Sequence, residues 1–219
     1  MKLSKFAKLV KWGGYCHLFH VAGNGIWLGT RYGAYRAAGL PDTVDSKTIL
    51  PILDFDPMTA QKITVNEEWF NSTQDINGLN LSDSSHLDIT AKRYPLSVVY
   101  KGRCAVGLLC DDEELVFYDD SLLSPVNDVL QKSQYAEIVV RVAESGRRFV
   151  VVRDGMETIA GIMPVAMLDK EFLADLVDFE ARCTEQHLKN EARNIREIVR
   201  EEDEEQTSLE GMEEKEGQK

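Results

Sequence analysis

The stretch YCHLFHVAGNGIWLGT (residues 15–30) decides the fold, because two runs of strand-forming residues flank a turn dipeptide. Residues 15–22 and 26–32 have strand-like composition, and the dipeptide Asn24-Gly25 between them is the strongest short signal for a tight β-hairpin. The stretch therefore predicts two antiparallel strands and an architecture built on a sheet.

The same stretch places a cysteine and two histidines close together, which raises the question of a metal site. On a strand, Cys16 and His20 share one face and His17 lies on the other. A tetrahedral metal would need two more ligands, and the spacing of Cys104 and Cys110 does not resemble a paired-cysteine zinc knuckle. We therefore expect ordinary strand packing here, with no metal ion and no other cofactor.

Upstream of the hairpin the chain predicts an amphipathic helix that ends at Gly13-Gly14. Its apolar side consists of Leu3, Phe6, Ala7 and Val10. The opposite side carries four lysines, Lys2, Lys5, Lys8 and Lys11. No acidic residue precedes Asp42, although the chain has a net charge of −12. Two interpretations stay open, a solvated helix face and a surface that faces a polyanion.

Downstream, regular strand signals return in residues 96–120, with turns at Lys101-Gly102 and at the acidic segment 111–114. Residues 121–133 predict a second helix with Pro125 in its first turn, where proline is tolerated. Three more strands are expected at 135–142, 147–154 and 157–165. Irregular or edge-strand structure is expected around Pro41, Pro51 and Pro57. The order of these elements predicts an α+β fold, an antiparallel sheet with two packed helices.

Charge and periodicity divide the chain into three parts. Residues 1–168 predict the α+β body, 169–200 a C-terminal helix and 201–219 a disordered acidic tail. Residues 170–219 contain 8 Lys/Arg and 16 Asp/Glu, a net charge of −8, so most of the negative charge lies outside the body. One hypothesis is thus a phage or mobile-element accessory protein whose acidic tail engages a basic partner.

Composition excludes several classes of protein. A net charge of −12 excludes a generally basic nucleic-acid binder but leaves room for a local basic face. No apolar run approaches the roughly 20 residues needed to cross a bilayer. The N-terminal segment is too rich in lysine for a secretion signal. We therefore expect a cytoplasmic protein without membrane partners, in which the four cysteines are free thiols.

Clustered aspartates raise the possibility of metal-dependent hydrolysis. The clusters are Asp54 with Asp56, Asp111-Asp112 and Asp119-Asp120. Adjacent carboxylates at turns are commonly solvated or capping groups, and Asp119-Asp120 precedes a predicted helix, where negative charge suits the helix dipole. The chain contains neither a serine elbow nor a phosphate-binding glycine loop. We therefore assign no catalytic residue and expect a non-enzymatic protein.

Aromatic and basic residues also follow the hairpin. They are Arg31, Tyr32, Tyr35 and Arg36. Such residues can stack on nucleotide bases, and they also commonly form the amphipathic outer face of a sheet. The sequence leaves both readings open.

Three segments resemble a domain of the DNA sliding clamps. The end of the last strand in bacterial clamp domains resembles Ile162-Met163-Pro164-Val165. The second helix of such a domain, with its following strand, resembles residues 122–142, LLSPVNDVLQKSQYAEIVVRV. The first helix with its hairpin is similar to residues 6–37. The resemblance implies a ring with helices inside and sheets outside, which holds duplex DNA by weak, sequence-independent phosphate contacts.

The resemblance also implies residue roles. The DNA-facing residues would be Lys2, Lys5, Lys8 and Lys11. The pocket for short hydrophobic peptides of replication partners would be bordered by Ile162, Met163, Pro164, Val165 and Met167. The protein would then be a non-enzymatic, self-associating clamp-like protein that acts at double-stranded DNA. A partner-binding platform without a ring is the second interpretation.

Overall fold

The computed structural model describes residues 1–76, 78–100, 102–165 and 174–193. The chain divides into two compact units, Met1–Met167 and Leu168–Lys219. Within the second unit, residues 174–193 are helical, whereas the rest of the predicted helix 169–200 and the whole predicted tail 201–219 lie outside the described residues. None of the described helices is long and apolar enough to cross a membrane.

The first unit, called the body below, is α+β, as the sequence predicts. Its described helices are α1 (Leu3–Gly13), α2 (Ile49–Ile52), α3 (Pro57–Ala60) and α4 (Asn127–Lys132). Its strands are β1 (Tyr15–Val21), β2 (Gly25–Gly29), β3 (Gly33–Arg36), β4 (Thr64–Phe70), β5 (Ile89–Tyr100), β6 (Arg103–Cys110), β7 (Leu115–Asp119), β8 (Ala136–Val142), β9 (Arg148–Asp154) and β10 (Glu157–Ile162). Short 3₁₀ turns lie at Thr73–Asp75, Ser85–Leu87 and Asp120–Leu123.

The strands form one ten-stranded sheet in the order β4-β1-β2-β3-β10-β9-β8-β5-β6-β7. All neighbours are antiparallel except β1 and β4, which are parallel. The sheet is therefore mixed, and the expectation of a purely antiparallel sheet is corrected. Parallel neighbours need a long crossover connection, and the chain between β3 and β4 supplies one that contains α2 and α3.

The N-terminal helix and hairpin form where the sequence predicts them. Phe6, Leu9 and Val10 of α1 are buried, and Gly14 ends the helix in a left-handed conformation with φ +64°. β1 and β2 pair from His17 opposite Gly29 to Val21 opposite Gly25. Local periodicity and turn chemistry are thus enough to define this part of the body.

The second predicted helix is divided in two, which corrects the prediction of one continuous helix. The 3₁₀ turn Asp120–Leu123 comes first and α4 follows from Asn127. Pro125, between them, has no N–H to donate, and the N–H of Val126 donates to Leu123 three residues back. Leu122, Leu123 and Val126 are nevertheless buried, as the helical pattern predicts.

The proline-rich region also differs from its prediction. Pro57 occupies the first turn of α3, and the carboxylate of Asp56 caps that helix by accepting the N–H of Thr59 at 3.0 Å. The chain around Pro51 and Pro57 thus forms short helices, whereas the chain around Pro41 is irregular, as predicted. β4, which follows, was not predicted at all.

The sheet curls so that its far end approaches the continuation of β10. The N–H of Val165 donates to the carbonyl of Phe117 in β7 at 2.8 Å. A large apolar cluster fills the enclosed side and includes residues from α1, β1, β2, β6, β7 and β9. Tyr35 crosses this core, where its hydroxyl donates to the carbonyl of Leu122 at 2.7 Å.

A buried ion-pair cluster, called the Asp88 network below, fixes the segment before β5 onto the sheet. Asp88 accepts 2.5 Å contacts from Arg141 through one oxygen and from Arg153 through the other. Arg141 is 0% exposed and also donates to the carbonyls of Asn80, Ser82 and Ser84. Both arginines are therefore structural, because they share the Asp88 carboxylate inside the body, although Nε of Arg153 has no hydrogen-bond partner among the described residues.

Candidate functional site

The exposed side of α1 carries the lysines that the sequence singles out. Lys5, Lys8 and Lys11 are exposed, whereas Phe6 and Val10 on the other side of the same helix are fully buried. We call these three residues the lysine row. Within the described residues, no ion pair joins a carboxylate to the lysine row. Its three charges are available to an anionic ligand.

Lys2 differs from the other three lysines because it is paired. Its Nζ lies 3.1 Å from Oδ2 of Asp128 in α4, and its backbone N–H donates to the carbonyl of Pro125 at 2.7 Å. The hydrogen bond from Lys2 is the main reason why the pKa of Asp128 lies below its usual value. These contacts thus fix the start of α1 to residues 125–128 and commit Lys2 to that role.

A groove of about 430 Å³ lies along the other flank of the lysine row. Lys8 and Lys11 form one wall, and Asp54 and Asp56 contribute to the other. Asp56 is the capping residue of α3, so it has the structural role expected of a turn carboxylate. Among the described residues there is no group of three or more histidines, cysteines or acids placed to hold a metal ion.

A second cleft lies at the C-terminal end of α1 and contains three aromatic residues and two arginines. We call it the Arg–aromatic cleft, and it is defined by Trp12, Tyr15, Arg31, Tyr32 and Arg103. Its volume is about 180 Å³. The Arg103 guanidinium carbon lies 4.0 Å from the ring centroid of Trp12 and 5.4 Å from that of Tyr32, and the Arg31 carbon lies 5.4 Å from that of Tyr15. Each arginine is therefore held by cation–π contacts.

The rings of this cleft keep much of their surface in solvent. Trp12 is 55% exposed and Tyr32 is 41% exposed. Large exposed aromatic side chains that cluster around cationic groups are more typical of a binding surface than of a core. The cleft thus combines exposed aromatic area with positive charge.

A buried carboxylate lies beneath Arg103. Asp119 is buried, and its Oδ1 caps the following 3₁₀ turn by accepting the N–H of Ser121 at 3.0 Å. Its Oδ2 has no hydrogen-bond partner among the described residues and lies 3.8 Å from an Nη of Arg103. The distance is too long for a hydrogen bond, so Arg103 is attracted toward Asp119 without being saturated by it.

The hydrophobic end of β10 differs from an open peptide pocket. Ile162 is fully buried, and Met163, Pro164 and Val165 are partly buried. The N–H of Met163 donates to Tyr32 at 2.8 Å, and that of Val165 to Phe117. Met167 lies outside the described residues. The backbone of this segment is thus engaged in the sheet, and a partner peptide would have to use the exposed parts of the three middle residues.

The Cys16 and His20 side chains share a face of β1, as alternation predicts, and both are buried. Burial raises the pKa of the Cys16 thiol to about 12. His20 has a carboxylate partner, with its Nε2 3.0 Å from Glu67, and its ring stacks on Trp69 at 3.9 Å. His17, on the other face, stacks on Phe19. These residues pack against their neighbours as strand residues do.

The four candidate base-stacking residues separate into two groups. Arg31 and Tyr32 lie in the Arg–aromatic cleft. Tyr35 is buried, and Arg36 pairs with Glu157 at 3.3 Å. The other acidic pair on the sheet, Asp111-Asp112, also has a structural contact, because Asp112 accepts from Arg148 at 2.6 Å.

Sequence reasoning missed three members of the cleft, Trp12, Tyr15 and Arg103. Trp12 carries a signal, since a tryptophan that follows Lys11 on the polar side of an amphipathic helix is expected to be exposed. Arg103 carries none, because only the long-range packing of β6 brings it over α1. Comparisons with family models, with curated proteins and with solved structures found no match for this chain.

Proposed function

We propose that the protein is a non-enzymatic DNA-binding protein that contacts the phosphate backbone through the lysine row. The proposal retains the DNA-facing role that the resemblance to sliding-clamp domains implies for Lys5, Lys8 and Lys11. The observation that carries it is the exposure of these three lysines on one side of α1, without an ion-pair partner among the described residues. Lys2 supports the surface indirectly, by fixing the start of α1 to Asp128.

The charges around the lysine row predict weak and salt-sensitive binding. Asp128 lies on one flank, and Asp54 and Asp56 lie on the other. These carboxylates repel phosphate, so three lysines do not give the affinity of a strongly basic protein. Weak phosphate contacts suit a protein that holds DNA by enclosing it. We therefore propose that copies self-associate around duplex DNA in a clamp-like manner and take partner peptides near Met163, Pro164 and Val165.

The test of the DNA-facing surface is a charge reversal with a matched control. The variant Lys5→Glu/Lys8→Glu/Lys11→Glu is compared with Lys47→Glu/Lys92→Glu/Arg147→Glu, which changes the net charge equally at exposed positions outside α1. Affinity for a duplex of about 20 base pairs is followed by fluorescence anisotropy at about 50 to 200 mM salt. We expect the first variant to bind at least about tenfold more weakly and to lose roughly one unit of salt slope per phosphate contact.

An equal loss in both triple variants would show a general charge effect and would reject the lysine row. The clamp-like part of the proposal is tested separately by light scattering, with and without DNA. We expect a defined oligomer of the 24.7 kDa chain. A monomer at every concentration, with and without DNA, would reject enclosure while leaving the DNA contact to the charge-reversal test.

A further inference from the structure

We propose that the Arg–aromatic cleft binds an unpaired nucleotide of single-stranded nucleic acid, with the base stacked on Trp12 or Tyr32 and the phosphate held by Arg31 and Arg103. The inference rests on the proposed function, since it assigns a second kind of contact to the same nucleic-acid-binding face. It goes beyond that function because the lysine row contacts only backbone, whereas the cleft would read an exposed base.

The size of the cleft favours one flat group. Its volume of about 180 Å³ is below the roughly 300 Å³ at which pockets for drug-sized ligands begin. Stacking on an exposed aromatic side chain needs only one ring face, and every base offers a π-face of this kind. The 55% exposure of Trp12 leaves such a face to solvent while Arg103 covers part of the ring.

The charge of the cleft selects an anion. Two guanidinium groups line it, so a cationic ligand such as a methylated lysine is disfavoured, although aromatic rings alone would suit one. The cleft lies at the C-terminal end of α1, where the helix dipole is negative. Anion binding must therefore come from Arg31 and Arg103, whose planar donors match phosphate geometry.

The donors of these two arginines are not used by a carboxylate within hydrogen-bond distance among the described residues. Arg31 makes no ion pair with a carboxylate there, and it lies over the ring of Tyr15 in a cation–π contact. Arg103 approaches Asp119 only to 3.8 Å. Stacking fixes both guanidinium planes before a ligand arrives, which lowers the ordering cost of binding.

The position of the cleft connects it with the lysine row. Lys5, Lys8 and Trp12 follow each other at spacings of three and four residues, so they lie on one side of α1. The distance from Lys5 to Trp12 along the helix axis is about 10 Å at 1.5 Å per residue. A single strand whose phosphates follow the lysines therefore reaches the ring of Trp12 at the end of the helix. Paired bases are stacked inside a duplex and cannot make this contact.

The experiment compares a deoxythymidylate oligomer of about ten nucleotides with a duplex of equal length. The variants are Trp12→Ala, Arg31→Gln/Arg103→Gln and, as a matched control, Trp69→Ala, which removes a tryptophan that is 74% exposed on β4. Affinity is measured by anisotropy. Quenching of Trp12 fluorescence is followed in a Trp69→Phe background, where Trp27 is fully buried and serves as an internal reference.

We expect oligomer binding to quench Trp12 and to weaken about 5- to 100-fold in Trp12→Ala, as base–aromatic stacking predicts, while duplex affinity changes less than about twofold. Trp12→Phe should restore most of the oligomer affinity, and Trp69→Ala should leave it unchanged. The double arginine variant should weaken oligomer binding by a similar factor. A thermal melt of each variant confirms that the body remains folded.

The outcomes separate the two proposals. If Trp12→Ala binds the oligomer as wild type does, or if Trp12 is not quenched, the cleft proposal is overturned whatever the lysine variant does. If the protein binds duplex through the lysine row but does not bind the oligomer, the cleft proposal alone fails. If the oligomer binds through Trp12 but the lysine variant is unaffected, the lysine row alone fails. No binding of either probe would overturn both.

Discussion

Two pairs of arginines in the body show opposite uses of the same side chain. Arg141 and Arg153 share the carboxylate of Asp88 inside the protein, with contacts of 2.5 Å. Arg31 and Arg103 lie over aromatic rings at the surface, and neither donates to a carboxylate within hydrogen-bond distance among the described residues. The first pair shares a buried carboxylate and holds the fold, although Nε of Arg153 has no hydrogen-bond partner among the described residues, whereas the second pair retains donors for a ligand. The partner of the guanidinium groups, rather than the residue type, separates structure from candidate function.

The largest effect on stability is expected where the Asp88 network loses its carboxylate. Asp88→Asn keeps the side-chain shape but leaves two buried guanidinium charges without a counter-ion, so we expect the free energy of unfolding to fall by about 3 to 5 kcal/mol. Urea denaturation followed by circular dichroism measures the change. The matched control is Asp112→Asn, because Asp112 is 45% exposed and its partner Arg148 also pairs with Glu114, with an expected loss of at most about 1 kcal/mol. Equal stability of the two variants would contradict the structural role of the Asp88 network.

A smaller effect is expected for the buried tyrosine beside the cleft. Tyr35→Phe removes the hydroxyl that satisfies the carbonyl of Leu122, and we expect a loss of about 1 to 2 kcal/mol. Tyr32→Phe alters an exposed ring and should change stability by less than about 0.5 kcal/mol. Thermal denaturation of the two variants under the same conditions checks the difference. A larger loss from Tyr32→Phe than from Tyr35→Phe would reverse the distinction between the core and the cleft.

The exposed arginine pair should contribute little to stability. Arg103→Gln removes cation–π contacts with Trp12 and Tyr32 and a distant attraction to Asp119, so we expect a loss below about 1 kcal/mol. Urea midpoints of this variant and of Asp88→Asn provide the direct comparison. If Arg103→Gln were as destabilising as Asp88→Asn, Arg103 would belong to the fold and the comparison between the two pairs would not hold.

The smallest effect concerns His17, a buried side chain whose Nδ1 makes no hydrogen bond among the described residues. Burial lowers its pKa, and the opposing attraction of Glu68 is the weaker influence. Because the unfolded chain takes up a proton near pH 6.5 and the native side chain only at lower pH, stability should fall as the pH decreases through this window.

The measurement is the difference in unfolding free energy between about pH 7.5 and about pH 5, compared for wild type and His17→Phe. The variant should lose part of the decrease, since it has no group to protonate. His187→Phe in the helical segment 174–193 replaces an exposed histidine and serves as control. The same pH dependence in wild type and His17→Phe would show that His17 does not contribute.

Local signals account for the parts of the fold that the sequence predicts. Helical spacing and Gly13-Gly14 define α1, and Asn24-Gly25 defines the first hairpin. Long-range contacts account for the rest. The parallel pairing of β4 with β1 joins segments separated by a crossover, and no local pattern in residues 60–93 indicates it. The sequence is compatible with Pro125 in the first turn of one helix, but in the structure Pro125 lies between two short helical segments.

In the candidate site, too, local signals predict some features and long-range contacts determine the others. The exposure of Lys5, Lys8 and Lys11 follows from the amphipathic pattern of α1. The pairing of Lys2 with Asp128 depends on tertiary packing, as does the placement of Arg103 over Trp12. A buried arginine such as Arg141 cannot be distinguished from a surface arginine by composition, because its burial depends on the segment that the chain folds over it.

The unequal ends of the sheet limit how copies of this protein can join. β4 is an edge strand, and no other strand in the described chain pairs with its outer side. β7 is the opposite edge strand, and its Phe117 carbonyl accepts the N–H of Val165. Strand pairing that continues from one copy to the next needs two different free edge strands on each copy. Pairing of two copies through β4 alone would stop at a two-fold dimer. A larger closed assembly built on that dimer would need a second, separate surface on each copy.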